Sequence, residues 1–222
     1  GVGDGVADLL KGTARSEHCK AGHEGNIAHG GQAGGHAHHV ALGNAAVKVA
    51  VRISLAEHAG LGGGSQVSVQ HHQVVVALGA VHDRIWDITM DTLRPIVPPA
   101  NFAATEQKIH SFAAAYGTVL FFDDTSIVDD LARQFPTYAD NFPVWAQQAN
   151  GMMQFAVWTA LADLGLGVNI QHYNPLIDDE VKQLVHAPES WKLIAQMPFG
   201  QVLEAPKPIQ KVPVEERVKI LR

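Results

Sequence analysis

Histidine is the residue type whose number and spacing could do chemistry in this 222-residue chain. Ten of the 13 histidines lie in the first 85 residues, and they include His36, His38, His39 and the pair His71-His72. Neutral imidazoles are common ligands of zinc and nickel. Ligation, however, needs side chains that converge from an ordered backbone, and the Gly-rich run here has no neighbouring Asp, Glu or Cys to complete a shell. The pattern therefore favours solvated loops, and no metal site is predicted.

A second polar group is the run Gln171-His172-Tyr173-Asn174. Because histidine titrates near neutrality, His172 could protonate a reacting group, and the Tyr173 phenol could do the same. Residue types alone are equally typical of an ordinary loop.

Two further motifs give weaker indications of function. Gly62-Gly63-Gly64 lacks the Lys-Ser/Thr ending of a phosphate-binding loop, and Cys19 has no surroundings that resemble a catalytic Cys-His pair.

The overall composition excludes several classes of protein. Hydrophobic residues make up 46% and charged residues 17%, which is typical of one globular domain with a sizeable core. No apolar run approaches the roughly 18 residues of a membrane span. A net charge of −6, without a Lys/Arg cluster, argues against nucleic acid as a partner. With one cysteine and no signal-peptide pattern at the start, we expect a cytoplasmic location.

The chain has two parts of different composition. All 15 Phe, Trp and Tyr residues and all 11 prolines lie at or after Trp86, whereas 16 of the 21 glycines lie in the first 85 residues. A glycine-rich segment without aromatics has little to bury and a high entropic cost of ordering. We therefore divide the chain into an anomalous Gly/His-rich segment, residues 1–72, that is poorly ordered or misread, and one domain over residues 73–222.

The hydrophobic pattern of the second part predicts alternating helices and strands. Val81 to Leu93 reads as a helix that ends at Arg94-Pro95, because the residue before proline disfavours helical geometry. The predicted strands are Gln73–Leu78, Gly117–Phe122, Gly167–Gln171 and Trp191–Pro198. The other predicted helices are Ala45–Ala59, Asn101–Ala115, Thr125–Phe135, Asn141–Leu164 and Asp178–Leu184. An extended arm at Ala205–Val214 precedes a short charged helix.

The longest predicted helix, Asn141 to Leu164, is apolar nearly all round. Such a helix lies in the centre of the core or at a subunit interface. Met152, Met153, Phe155 and Trp158 lie at helical spacing within it. For these four side chains, packing in the core is favoured over the lining of a ligand cleft.

Five segments in a fixed order resemble the nitroreductase-like superfamily, in the short branch that includes the fatty-acid-repression type oxidoreductases. They are residues 112–122 (FAAAYGTVLFF), 138–145 (YADNFPVW), 151–158 (GMMQFAVW), 171–175 (QHYNP) and 191–200 (WKLIAQMPFG). The resemblance extends from about Val74 to Leu221. It implies an α+β fold with a central antiparallel sheet flanked by helices. It also implies an intertwined homodimer with one FMN in each of two clefts at the dimer interface.

The activity that the resemblance implies is an FMN-dependent oxidoreductase. The flavin would take a hydride from NADH or NADPH and then reduce nitroaromatics, quinones or similar acceptors in a ping-pong sequence. Three groups of residues would contact the cofactor: a loop beside the flavin ring, lysines of the C-terminal arm at the phosphate, and a glutamine at the ring edge. They are Gln171, His172, Tyr173 and Asn174 in the loop, Lys207 and Lys211 in the arm, and Gln70.

The first part of the chain departs from the family. The Arg-Arg-Ser or Arg-Arg-Thr motif that grips the phosphate is absent where an ungapped match places residues 36–40, and only the glutamine of the Asn-Ser-Gln motif is present, at Gln70. One hypothesis is that residues 1–72 are a frame-shifted translation, which resequencing the locus would test. The alternative function is a flavin-free structural or ligand-binding relative. A His-rich metal-binding protein is a third hypothesis, and it predicts that chelation changes the melting temperature.

Overall fold

The computed structural model describes residues 27–28 and 71–221. Gln70, the predicted helix Ala45–Ala59 and the histidines within residues 36–39 lie outside the described residues. The described strands are β1 (Ile27–Ala28), β2 (His72–Leu78), β3 (Gly117–Asp124), β4 (Leu166–Val168) and β5 (Trp191–Val202). The described helices are α1 (Ala80–Leu93), α2 (Pro99–Ala113), α3 (Thr125–Gln134), α4 (Phe142–Asp163), α5 (Asp178–Leu184) and α6 (Val214–Arg217), with a 3-10 helix at Pro136–Asn141.

The predicted elements from residue 73 onward are all present, but three strands differ in extent. Strand β3 continues to Asp124 and β5 to Val202, beyond the predicted Phe122 and Pro198, and β4 is shorter than predicted. The strand expected over Gly167–Gln171 stops at Val168, and Gln171 forms only an isolated bridge to Gln196. Opposite the gap lies Pro198, whose carbonyl accepts from Asn169 N–H at 3.1 Å. Because proline has no amide hydrogen to return the bond, the ladder is interrupted there.

The sheet formed by these strands is antiparallel at every described pairing, as predicted. Its order is β1-β5-β3-β2, and β4 also pairs with β5. Gln196 of β5 pairs with Leu120 of β3 and also bridges to Gln171, so β3 and the segment after β4 lie on opposite edges of β5. Because β5 is central, it can bind β3 on one edge and the segment that contains Gln171 on the other.

The two faces of the sheet are covered by different helices. A bulge places the extra residue Ile194 between Leu193 and Ala195, which pair with Phe122 and Phe121. Because side chains alternate along a strand, the bulge shifts which face each later side chain occupies. The core cluster on one face joins strand residues to helix α4: Val119, Phe121, Ala195, Met197 and Phe199 pack with Met153, Val157 and Leu161. The cluster on the other face joins strand residues to α1 and α5: Leu120, Phe122 and Leu193 pack with Ile85, Ile88 and Val181.

Helix α3 begins directly after β3 because Asp124 caps it. The Asp124 carboxylate accepts from the Ser126 amide at 3.1 Å and from the Ser126 hydroxyl at 2.6 Å. Burial raises the pKa of this carboxyl, but the hydrogen bonds from Ser126, Ser190 and Trp191 together outweigh it, so the pKa lies below its ordinary value. The cap therefore stabilises the fold above the ordinary pKa of aspartate and loses that effect as the pH falls through the lowered value.

Helix α4 is buried on one face only, which corrects part of the sequence-based expectation. Met153 lies in the core, but Met152 and Phe155 are each 68% exposed and Trp158 is 40% exposed. A helix crossing one face of a sheet buries only the stripe of residues spaced three and four apart. Since the sequence is apolar on all sides, it could not indicate which stripe that would be. Each helix that the structure describes is too short or too polar to span a membrane.

Candidate active site

The run of residues from Gln171 to Asn174 is fixed to the central strand by one buried side chain, Gln196. The backbones of Gln171 and Gln196 exchange two hydrogen bonds of 2.7 and 2.9 Å. Gln196 is fully buried, and its Oε1 accepts from the Tyr173 amide at 2.9 Å while its Nε2 donates to Asn174 Oδ1 at 3.0 Å. Both ends of one amide are therefore used to hold the loop.

Asn174 extends this network to helix α5 and to a second residue of strand β5. Its Nδ2 donates to Asp178 Oδ1 at 2.9 Å and to the Leu193 carbonyl at 2.8 Å, and the Asn174-Pro175 peptide bond is cis. Burial raises the pKa of the Asp178 carboxyl, an effect that the hydrogen bond from Asn174 only partly offsets. Asn174 is thus a structural anchor whose polar atoms are directed into the protein.

Tyr173 also has its side chain directed inward. Its ring makes an edge-on contact with Trp86, with the ring centroids 6.2 Å apart, and it packs against two core clusters. Burial raises the pKa of the Tyr173 phenol to about 12, so the phenol stays protonated near neutral pH and is a weaker acid than free tyrosine. These features favour an anchoring role for Tyr173 over the proton-donor role suggested by its residue type.

Gln171 and His172 are the loop residues that remain available to a ligand. His172 is exposed and Gln171 is half-buried. Gln171 Nε2 donates to Asn169 Oδ1 at 2.5 Å and to the Ile170 carbonyl at 3.0 Å, which holds the amide group in place. Gln171 Oε1 accepts no hydrogen bond from the described residues. The arrangement is a rigid backbone that presents one oriented amide and one titratable ring.

The other predicted site residues are not joined to this loop within one chain. Lys207 and Lys211 lie in the exposed arm after β5, and neither forms a hydrogen bond or an ion pair with a described residue. Gln70 lies outside the described residues. Gln196 was not predicted as a site residue, although a lone polar residue in the apolar strand segment Leu193–Phe199 indicates a buried hydrogen-bonding role.

Replacing Gln196 should weaken both the fold and the loop. Gln196→Leu keeps the volume but leaves the Tyr173 amide and Asn174 Oδ1 without this partner, so we expect a loss of about 2–3 kcal/mol in the free energy of unfolding. Urea denaturation followed by circular dichroism measures it. Gln183→Leu, on the exposed side of α5, is the matched control and should change stability by less than about 0.5 kcal/mol. Equal effects from the two variants would contradict the anchoring role of Gln196.

The protein has an α+β fold in which helices cover both faces of an antiparallel sheet. Comparison with known proteins identifies its family. The model of the nitroreductase family matches residues 50–201. The chain therefore belongs to the nitroreductase family. This result confirms the resemblance seen in the sequence, and the match begins within the segment of unusual composition.

Individual relatives agree with that assignment. The chain is 36% identical over 131 residues to nitroreductase FRM2 of Saccharomyces cerevisiae, a stretch that covers 59% of this chain and 64% of FRM2. Among solved structures it resembles nitroreductase CinD of Lactococcus lactis in complex with chloramphenicol, with 38% identity, a TM-score of 0.67 and coverage of 79% of this chain and 88% of CinD. A second CinD structure, in complex with 4-nitrophenol, gives 39% identity, a TM-score of 0.66 and the same coverage.

Proposed function

We propose that this protein is a homodimeric, FMN-dependent NAD(P)H oxidoreductase that reduces nitroaromatics, quinones or similar acceptors. The observation that carries the proposal is the rigid loop that offers the Gln171 amide and the exposed His172 ring beside the central strand. The similar protein CinD has been solved with 4-nitrophenol, a nitroaromatic compound. The proposal includes either NADH or NADPH as the electron donor and a cytoplasmic location.

The described residues fit FMN at its ring and at its phosphate. A flavin ring needs hydrogen-bonding groups at its edge and apolar surface on its faces. The loop supplies the first through Gln171. For the second, Phe155 and Trp158 are aromatic side chains exposed on α4, the helix face on which the dimer is proposed to form. A phosphate needs cations that are not already paired, and Lys207 and Lys211 meet that condition among the described residues.

The chain's own residues bind, orient and protonate in this proposal. Bound FMN supplies the hydride chemistry. Gln171, held by Asn169 and Ile170, orients the ring edge without rearranging. His172 is exposed, and its imidazole would donate a proton to the reduced acceptor. The lysines offset the charge of the phosphate.

A second copy of the chain would cover the apolar surface that one copy leaves exposed. On α4 that surface includes Met152 and Phe155, each 68% exposed. The C-terminal arm adds Ile209, 81% exposed, and the residues after α6 add Ile220 and Leu221, 78% and 81% exposed. Large exposed apolar side chains in groups commonly mark protein–protein contacts, and an arm of this kind gains stability by packing on a partner. A dimer would also bring the lysines of one arm within reach of the other copy's loop.

The visible absorption spectrum of the purified protein tests the proposal. Flavin bands should be present after addition of FMN, should bleach under anaerobic conditions with NADH or NADPH, and should return when 4-nitrophenol or a quinone is added. A colourless protein that takes up no FMN would contradict the proposal and favour the flavin-free structural or ligand-binding alternative.

The two arm lysines should contribute to FMN affinity. Lys207→Ala and Lys211→Ala each remove a charge that the phosphate would contact, and loss of one such contact raises the dissociation constant about 10-fold or more. Quenching of flavin fluorescence during titration measures that constant. Lys219→Ala is the matched control, because Lys219 is an exposed lysine that follows α6, a few residues beyond the arm. Unchanged affinity in both variants would show that the phosphate is bound elsewhere.

A further inference from the structure

A compact group of His71, His72 and Asp123 lies where β2 begins beside the end of β3. His72 and Asp123 are cross-strand partners in the sheet, and the ring centroids of His71 and His72 are 3.9 Å apart. One nitrogen from each histidine and one oxygen from the carboxylate all lie within 4.8 Å of one another. The side chains of His72 and Asp123 are only 4% and 6% exposed.

The protonation of His72 follows from its contact with the carboxylate. His72 Nδ1 is 2.9 Å from Asp123 Oδ1, and a carboxylate oxygen can only accept, so Nδ1 carries the hydrogen. In the metal-free protein, one hydrogen therefore lies between Nδ1 and Oδ1. Metal ligands must be deprotonated, so an ion that replaces this hydrogen would contact both atoms.

The carboxylate is itself held from helix α4. Asn150 Nδ2 donates to Asp123 Oδ1 at 2.7 Å, and Gln154 Nε2 donates to Asn150 Oδ1 at 2.7 Å. All three residues are buried. Carboxylates that ligate metals are commonly held in place by further hydrogen bonds. The chain Gln154–Asn150–Asp123 has that form, and it orients the carboxylate beside His72.

We propose that His71, His72 and Asp123 bind a divalent transition metal ion of the zinc class. Two imidazole nitrogens and a carboxylate oxygen are a donor set that zinc accepts, and a tetrahedral ion keeps one further position for water or another group. The expectation of no metal site rested on the absence of an acidic residue near the histidines in sequence. The fold supplies one from 51 positions away, across the β2–β3 pairing.

The bound ion fastens the start of β2 to the end of β3. Metal that binds only the folded protein raises its melting temperature by mass action. For a chain of this size, binding at micromolar affinity in the presence of excess ion corresponds to a shift of about 5 °C. The role is structural, and it involves no change in the oxidation state of the ion or the protein.

Thermal melting of the full-length protein, stripped with a chelator and titrated with Zn²⁺, tests the site. We expect the upward shift in the wild type and its loss in His72→Gln and in Asp123→Asn. His110→Ala, which removes an exposed histidine of α2, is the matched control and should keep the shift. Far-UV circular dichroism at low temperature checks that each variant is folded before it is melted.

The many histidines of the first 70 residues make the variants decisive. If Zn²⁺ raises the melting temperature equally in His72→Gln, Asp123→Asn and the wild type, the ion binds elsewhere in the chain and the proposal is wrong. No shift in the wild type also overturns it. Should either variant fail to fold, the number of Zn²⁺ ions retained by His71→Gln after dialysis, measured by atomic absorption, takes its place. It should be one fewer than in the wild type.

Discussion

Phe155→Asp should convert the proposed dimer to a monomer that no longer retains FMN. The Phe155 side chain is 68% exposed in one copy and lies on the apolar face of α4 beside Met152. In the proposed dimer that face is covered by a second copy, and a charge placed there would be buried without a partner. An unpaired buried charge costs several kcal/mol, which is enough to separate two subunits.

The dimer prediction is measured by light scattering on a sizing column and by the flavin absorbance of the eluted peak. Ile96→Asp is the matched control, because Ile96 is also an exposed apolar residue, at 55%, but lies in the turn after α1. It should leave the mass and the flavin content unchanged. A wild-type protein that elutes as a monomer, or a Phe155→Asp variant that remains a yellow dimer, would disprove the proposed assembly.

Trp86→Ala should lower the free energy of unfolding by about 4 kcal/mol, the range found when a buried aromatic residue is removed. Trp86 is 1% exposed and packs on Phe112, with the ring centroids 5.1 Å apart. Its Nε1 donates to Thr118 Oγ1 at 3.0 Å. The substitution would therefore leave both a cavity and a changed hydrogen-bonding pattern between α1 and β3.

With the His82 ring neutral, the polar group around Trp86 has one consistent arrangement of hydrogens. His82 Nε2 is 3.0 Å from the Ala113 carbonyl, which can only accept, so Nε2 carries the hydrogen and Nδ1 of the neutral ring accepts. The Thr118 hydroxyl, 2.8 Å from Nδ1, then donates to His82 and accepts from Trp86. Trp86→Phe keeps most of the packing and loses only the indole donor, so its cost should be about 1–2 kcal/mol.

The Trp86 prediction has a second readout at the candidate site. Tyr173 contacts the Trp86 ring, so loss of that ring should loosen the loop and reduce FMN affinity in the alanine variant more than in the phenylalanine variant. Chemical denaturation and flavin titration on the same three proteins measure both effects. A Trp86→Ala variant as stable as Trp86→Phe would show that packing around the indole contributes little.

The elements after residue 73 could be predicted because local signals agree with the final fold. Pro95 ends α1, and Asp124 both ends β3 and caps α3, so turn chemistry and hydrophobic pattern indicate the same boundaries. The exposed side of α4 could not be predicted, since Met152 and Phe155 are as apolar as Met153. Only the position of the helix on the sheet separates them.

The candidate site was predictable in part. The resemblance to the family identified the loop from Gln171 to Asn174, but it could not separate the inward Tyr173 from the outward His172. The partner Gln196 and the pairing of His72 with Asp123 depend on which strands are neighbours. Such contacts between residues far apart in sequence follow from strand order, which composition and periodicity do not define.

The extra residue Ile194 gives strand β5 two phases of alternation. Before it, Leu193 faces α1 and α5, and after it, Ala195, Met197 and Phe199 face α4, which leaves Gln196 directed toward the loop. A deletion of one residue here would restore a single alternation along the strand, and the side chains of one half of β5 would then lie on the opposite face of the sheet. Insertions and deletions of one residue in β5 should therefore be rare among related sequences that keep a glutamine in this position, and an alignment of such sequences should preserve the length of this strand.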